Sequence, residues 1–160
     1  MSGYFDLAPR SLLPEDHQGT RVLLMGALGV TPYIDRALEV LELAERGNDP
    51  EHRAVVIARD GTVAALALFG EIAGTANGAK LYTAVLAPGV RAEEVGPRLM
   101  SAVVETLKAG GARFLLAEMP DDPAIGNILT LLRHQGFTEE ARVPDFYRDG
   151  IALSFLRLPL

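Results

Sequence analysis

Hydrophobic and polar positions change period several times along the chain, and each change marks an element. Val22, Leu23, Leu24, Ala27 and Leu28 form an apolar stripe at helical spacing, opened by Pro14-Glu15-Asp16-His17 and closed by Gly29. Proline in a first turn and acids near the positive end of the helix dipole both favour a helix start there. A second stripe, Ile34, Ala37, Leu38, Leu41 and Ala44, follows Thr31-Pro32 and runs to Gly47-Asn48. Thr31 reads as its N-cap and Pro32 as its first helical residue. The pattern then turns to strands: residues 53–59 contain Ala-Val-Val-Ile-Ala, residues 62–69 are a second apolar run, and Asp60-Gly61 between them predicts a tight antiparallel hairpin. A Gly-, Ala- and Asn-rich stretch precedes a strand over 80–86. Leu99, Met100, Val103, Val104 and Leu107 line one face of the next helix, with Pro97 expected at its first position and Gly110-Gly111 at its end. Residues 114–119 read as a strand, Ile125, Ile128, Leu129 and Leu132 as a helix closed by Gly136, and 137–142 and 151–158 as final strands. With residues 4–7 as a short first strand ended by Pro9, the order is β-α-α-β-β-β-α-β-α-β-β. That order predicts one α/β domain over residues 1–160, built on a mixed sheet.

Composition narrows the field. A chain of 160 residues can bury roughly 70% of the surface its unfolded form exposes. The absence of cysteine excludes disulfides, thiolate metal sites and cysteine nucleophiles. A net charge of −6 argues against a general nucleic-acid binder, which gains affinity by neutralising phosphates. His17, His52 and His134 lie far apart without metal-ligand spacing, so no metal is expected. Apolar runs such as 63–69 fall far short of the ~20 residues that a membrane span needs. The N-terminus lacks a basic-then-apolar pattern. The expectation is a cytoplasmic protein with no membrane partner.

The candidate chemistry gathers in residues 81–100. A strand there runs into an arginine-led turn carrying Gly96 and then into a helix, which puts backbone N–H groups and a positive dipole end at one point, a setting that suits a pyrophosphate. Glu93 and Glu94 stand where a phosphate would sit. Repulsion between single charges at about 6 Å is on the order of 1–3 kcal/mol for effective dielectrics from 80 down to 20, partly offset by Arg91 and Arg98. A purely structural reading stays open as well: glutamates near a helix start are favoured by the dipole alone, and Gly96 would serve as an N-cap.

The element order, with Gln135-Gly136-Phe137 after a helix and Val143-Pro-Asp-Phe-Tyr-Arg-Asp-Gly150 between the last strands, resembles the GNAT superfamily of acyl-CoA-dependent N-acyltransferases over nearly the whole chain. The resemblance implies a GNAT-like fold and an acyl-CoA co-substrate, with acetyl-CoA expected. The family's pyrophosphate loop, Gln/Arg-x-x-Gly-x-Gly/Ala, is matched by Arg91, Glu94 and Gly96, which brings Ala92, Glu93, Val95 and Arg98 into the implied cofactor set. Glu94 replaces a glycine whose left-handed torsions it adopts only at a cost, and Pro97 lacks a phosphate-donating N–H. Val85 and Leu86 are implied to meet the pantetheine arm through their main chain.

The tyrosine common four residues before the glycine of Gly-Phe is Leu132 here. The asparagine common early in that helix falls on Ile125, with Asn127 displaced by two. For a replacement acid or base the candidates are Glu118, Tyr82 and Tyr147, each with a structural alternative: an edge charge, sheet packing, and packing or a hydrogen bond in the closing turn. Glu71 and His134 are weaker candidates. The family resemblance places the acceptor surface on residues 12–46 and 144–150. Two readings follow. One is an N-acyltransferase in which a small-molecule or peptide amine attacks the thioester directly; the other is a degenerate, non-catalytic domain acting as a binding or structural module. The acidic chain mildly favours a cationic amine. Leu153, Phe155, Leu156 and Leu158 would suit a homodimer as well as a core.

Overall fold

The computed structural model describes residues 7–160. Among them the order is strand β1 (Arg10–Ser11), a 3-10 turn (Pro14–Asp16), helices α1 (His17–Leu28) and α2 (Ile34–Glu45), strands β2 (Arg53–Arg59), β3 (Thr62–Glu71) and β4 (Gly78–Leu86), and helix α3 (Ala92–Ala109). Strand β5 (Phe114–Pro120), a 3-10 turn (Pro123–Ile125), helix α4 (Ile128–His134) and strands β6 (Thr138–Arg148) and β7 (Ile151–Pro159) complete it. The strand expected over residues 4–7 lies mostly outside the described residues, and Leu7 itself is irregular.

The seven strands form one mixed sheet in the order β1-β2-β3-β4-β5-β7-β6, with β4 and β5 parallel and the other neighbours antiparallel. Strict alternation sorts the strand side chains into two cores, because successive residues of a strand face opposite ways. Val55, Ile57, Ala65, Ala67 and Phe69 pack with Val95, Leu99, Met100 and Val103 of α3 and with Leu129 and Leu132 of α4. Val56, Ala58, Leu66 and Leu68 pack with Leu23, Leu24 and Leu28 of α1 and Val40 and Leu41 of α2. The uninterrupted apolar run in β3 is therefore covered on both faces, as a central strand requires. The hairpin between β2 and β3 turns on Asp60 (φ 51°) and Gly61 (φ 77°), the pair of positive torsions that matches strand twist and that glycine adopts cheaply.

Several boundaries differ from the sequence reading, three of them near the site; Ile125 also falls in a 3-10 turn ahead of α4 rather than in the helix. Helix α2 starts at Ile34 rather than Pro32, because the Thr31 hydroxyl donates to the Leu28 carbonyl at 2.7 Å and accepts from Tyr33 N–H at 3.3 Å, which ties Thr31 to the end of α1. Helix α3 starts at Ala92, so Pro97 lies inside it. The Arg91 carbonyl accepts from the N–H groups of Glu94 (3.1 Å) and Val95 (2.9 Å), closing a first turn well ahead of the proline. Finally, β6 runs on to Arg148, but with an excursion: Val143 faces Leu153 and the next paired residue is Arg148, facing Ile151. Residues 144–147 therefore bulge out of the ladder within what the sequence suggested was a plain linking turn.

Candidate active site

The site begins with a flaw in the sheet. Strands β4 and β5 pair only from Gly78–Phe114 to Leu81–Ala117. Past that point β5 keeps β7 as its neighbour and β4 keeps β3. At the same place β4 carries one extra residue against β3: Phe69 faces Leu81 and Leu68 faces Thr83, which leaves Tyr82 as the bulge. A bulge bends its strand and increases the local twist, which drives β4 away from β5. Among the described residues, the edge of β4 that looks into this split from Tyr82 onward has no partner strand. A row of main-chain donors and acceptors there is open to a ligand.

Two cavities lie along the split and share Leu28, Thr83, Met119 and Ile125. The one nearer α3, of about 300 Å³, is lined by Val85, Leu86, Ala92, Asn127, Ile128 and Leu131 among others. It adjoins the start of α3, where the N–H groups of Ala92 and Glu93 have no acceptor among the described residues. Gly96 is buried in the second turn, and a Cβ built on it would lie 2.9 Å from a methyl of Leu131. Here glycine permits the close approach of α3 and α4, and it is not an N-cap. Val95 is buried in the core. Glu94 is not among the described residues with positive φ, so no left-handed torsion is imposed on it. Its carboxylate meets the Arg91 guanidinium at 2.8 Å on the surface. Arg98 reaches in another direction and donates to the Leu7 carbonyl.

The second cavity, of about 380 Å³, gathers all three candidates for proton transfer, Glu118, Tyr82 and Tyr147. Glu118 is the first residue of β5 past the last parallel pair and lies 3.5 Å from Lys80 Nζ. The Tyr82 ring stacks on His52 and has Lys80 Nζ and the Arg36 guanidinium 5.5 and 5.7 Å from its centroid. Its hydroxyl donates to the Glu51 carbonyl at 3.1 Å, and burial raises its pKa. Tyr147 stands on the β6 excursion with its ring edge-to-face against Tyr33 at 5.5 Å. Burial, then the nearby Glu118 carboxylate, pushes the Tyr147 phenol up to about 12.

Behind Tyr33 and Tyr147 sits a clasp of three distant segments. Buried Asp122, 5% exposed, accepts from the Tyr33 hydroxyl at 2.7 Å, from Ala124 N–H at 2.9 Å and from Arg148 at 3.1 Å. These donors, the Ala124 N–H foremost, hold its carboxyl below the usual range. The bond to Asp122 adds to burial in raising the Tyr33 pKa. The start of α2, the turn after β5 and the β6–β7 hairpin are thereby pinned around one cavity.

Other sequence candidates are placed elsewhere. Glu71 ends β3 opposite Ala79, and His134 ends α4; neither lines either cavity. Leu132, the position of the family tyrosine, is fully buried in the core. Ile125 closes the 3-10 turn and lines both cavities, and Asn127 is the N-cap of α4 on the wall of the first. Sequence reasoning missed Lys80 and Asp122, and had Tyr33 and Arg36 only within the acceptor range 12–46. Only Asp122 carries a local signal, as an Asx cap before Pro123; the rest reach the cavity through the tertiary arrangement. Among the described residues there is no cluster of three His, Cys, Asp or Glu that could hold a metal, and no helix long and apolar enough to cross a membrane.

Comparison with known proteins gives this geometry a context. The family model described as the acetyltransferase (GNAT) family matches residues 23–131. A structure from Desulfovibrio desulfuricans, assigned to the GNAT acetyltransferases, is 27% identical with a TM-score of 0.83, covering 96% of this chain and 98% of its own. A Salmonella typhimurium protein crystallised with acetyl-CoA is 18% identical, with a TM-score of 0.74 and coverage of 96% and 94%. A ribosomal-protein-alanine N-acetyltransferase from Brucella melitensis is 20% identical, with a TM-score of 0.73 and coverage of 96% and 100%. At these last two identities the likeness is one of fold. No curated protein sequence matches the chain significantly.

Proposed function

The chain belongs to the GNAT acetyltransferase family, and on that premise we propose that it transfers an acyl group, acetyl in the first instance, from acyl-CoA to the nitrogen of an amine by direct attack. The observation that carries this reading is the open edge of β4 from Tyr82 onward, which runs from the start of α3 into a cavity lined by Glu118. A pantetheine arm is a narrow amide chain, and an unpaired strand edge beside an apolar cavity supplies the hydrogen bonds and burial that such a chain needs.

Acyl-CoA, when bound, supplies its acyl group as a reactive thioester. Val85 and Leu86 hold the arm through main-chain groups. The N–H groups of Ala92 and Glu93, with Val95 and Gly96 shaping the turn and Arg91 beside it, face the pyrophosphate. Arg98 braces the same helix through Leu7. Main-chain N–H groups of β4 polarise the acyl carbonyl where negative charge develops, a contribution often larger than that of any single acid. Among the described residues Glu118 is the one carboxylate on the acceptor cavity wall, and it accepts the proton that the amine must lose to attack. Tyr147 stays a neutral phenol over the working pH range because its pKa is about 12. A thiol titrates near 8.5, so Tyr147 serves as a hydrogen-bond donor to the departing sulfur rather than as a group that surrenders its proton outright. Tyr82 has its hydroxyl turned to Glu51 and shapes the wall.

Calorimetry with acetyl-CoA, followed by release of free thiol across a panel of amines, tests the reading. Micromolar binding with thiol release for at least one amine supports it, and no binding up to millimolar acetyl-CoA overturns it. The surface pair of Glu94 with Arg91 and the sealing of Leu132 into the core favour a second reading, a coenzyme-binding module without turnover. Binding without thiol release across the whole panel would select that one.

A further inference from the structure

The acceptor cavity has a charge opposite to that of the chain around it. Among its lining residues the charged ones are Arg36, Lys80 and Glu118, two cations and one anion, on a protein whose net charge is −6. The global charge expects a cationic acceptor, whereas the cavity wall does not. Resting on the acyl-transfer reading above, we infer that the acceptor is an amine that carries a carboxylate next to its nitrogen, an α-amino acid or a close analogue, with Arg36 and Lys80 receiving the carboxylate and Glu118 the ammonium.

The spacing carries the argument. Lys80 Nζ and a Glu118 oxygen are 3.5 Å apart, so a cation and an anion of the wall stand side by side at the point where β4 and β5 part. The ammonium and carboxylate of an α-amino acid hang from one carbon and offer the complementary pair at the same separation. Binding would replace one internal ion pair by two crossed ones. Arg36 extends the positive end: its guanidinium lies 5.7 Å from the Tyr82 centroid, with Lys80 Nζ at 5.5 Å from the same ring. Its own carboxylate partner, Glu39, is an exposed neighbour one helical turn on, at 3.1 Å, and such pairs are weak enough to yield to a better-placed anion. Guanidinium is suited to receiving a carboxylate through two parallel hydrogen bonds. The remaining cationic group nearby, Arg148, is neutralised by buried Asp122. The aromatic and aliphatic wall of Tyr33, Tyr147, Met119 and Pro120 is left to hold the acceptor's side chain.

The ammonium first gives one proton to Glu118, which passes it to solvent. The neutral nitrogen then bonds to the acyl carbon, the carbon–sulfur bond breaks, and the second nitrogen proton goes to the departing sulfur, so that the coenzyme leaves as its thiol. The carboxylate stays on Arg36 and Lys80 throughout, so it contributes to binding and orientation rather than to the bond change.

The test uses the full chain with acetyl-CoA and sets of matched acceptors: amino acids, their carboxamides and their decarboxylated amines. The readout is kcat/KM for thiol release corrected for the fraction of neutral amine. The expectation is a preference for the acid over its amide of about tenfold or more for at least one set, which is what one charge-assisted contact provides. In Arg36→Gln the acid-to-amide ratio falls toward one, and in Arg36→Lys part of the preference returns. Equal rates for acid and amide, or a preference for the decarboxylated amine, overturn the inference while leaving acyl transfer intact. Absence of thiol release from every acceptor, with acetyl-CoA bound, overturns both.

Discussion

The two cavities along the split sheet share four residues and little else. The one beside α3 is mostly apolar, and apart from the Thr83 and Asn127 side chains the polar contacts it offers come from main chain: the open edge of β4 and the first turn of the helix. The other is polar through its side chains, with Glu118, Lys80, Arg36 and three tyrosines from four separate segments. Main-chain contacts tolerate many sequences, because any residue brings an N–H and a C=O. Side-chain contacts do not, so the choice of acceptor rests with the second cavity on the reading proposed above. If the proposed reading holds, the first cavity carries what the family shares and the second carries specificity.

Substitutions that touch one cavity and spare the other can break that division. The largest effect belongs to Glu118→Gln. Removing a positioned base typically costs between about 10² and 10⁴ in rate, so kcat should fall roughly 100-fold or more while acetyl-CoA affinity, read by calorimetry, stays within about twofold. A parallel loss of coenzyme affinity would mean that the two cavities are not separable. Next is Gly96→Val. A side chain there must displace Leu131, and overpacking of this kind costs about 1–3 kcal/mol. A lower thermal midpoint and a coenzyme affinity reduced about tenfold are expected, with the acid-to-amide ratio among acceptors unchanged.

Asp122→Asn probes the clasp on the acceptor side. The amide cannot accept from Tyr33 and Arg148 as the carboxylate does, so Tyr147 and the β6 excursion lose their anchor. KM for the acceptor should rise by roughly fivefold, a figure in keeping with the loss of one ordinary hydrogen bond, with a smaller change in kcat and none in acetyl-CoA affinity. An equal fall in kcat for all acceptors, without a KM effect, would place Asp122 outside acceptor binding. The smallest effect is expected from Glu94→Gln, which removes a carboxylate at the first turn of α3 and frees Arg91. Because the pair is exposed and screened, coenzyme binding should tighten by only about two- to fivefold, and less in high salt. Unchanged affinity at low salt would show that Glu94 does not face the phosphates.

What could be read from the chain follows the same division. The helices and most strands were legible because amphipathic periods of 3.6 and 2 reflect burial against one sheet, and the two cores use those stripes. The segment of strand, turn and helix from Leu81 to Met100 was legible because it is contiguous. Within it the details differed: Pro97 fell inside the helix, and Glu94 proved free of the torsional strain expected where the family has glycine, since the helix begins early enough to give it ordinary geometry. At the acceptor end Glu118, Tyr82 and Tyr147 were chosen singly for their chemistry, and the fold puts all three on one cavity. Tyr33 and Arg36 were foreseen only as part of residues 12–46, and Lys80 and Asp122 not at all, because what they meet at the cavity lies far away in sequence.

By itself, then, the sequence determined the mixed α/β class, most of the order of helices and strands and the strand, turn and helix from Leu81 to Met100, all of which rest on local periodicity and contiguous motifs. Only the tertiary structure decided that β4 leaves β5 after Leu81, that a one-residue bulge at Tyr82 coincides with the parting, and that residues 33, 122 and 148 close around the opening. The reason is physical: register and bulges depend on how two strands meet, and the sign of charge in a cavity depends on which distant side chains converge there. Neither property is stored in any short stretch of the chain.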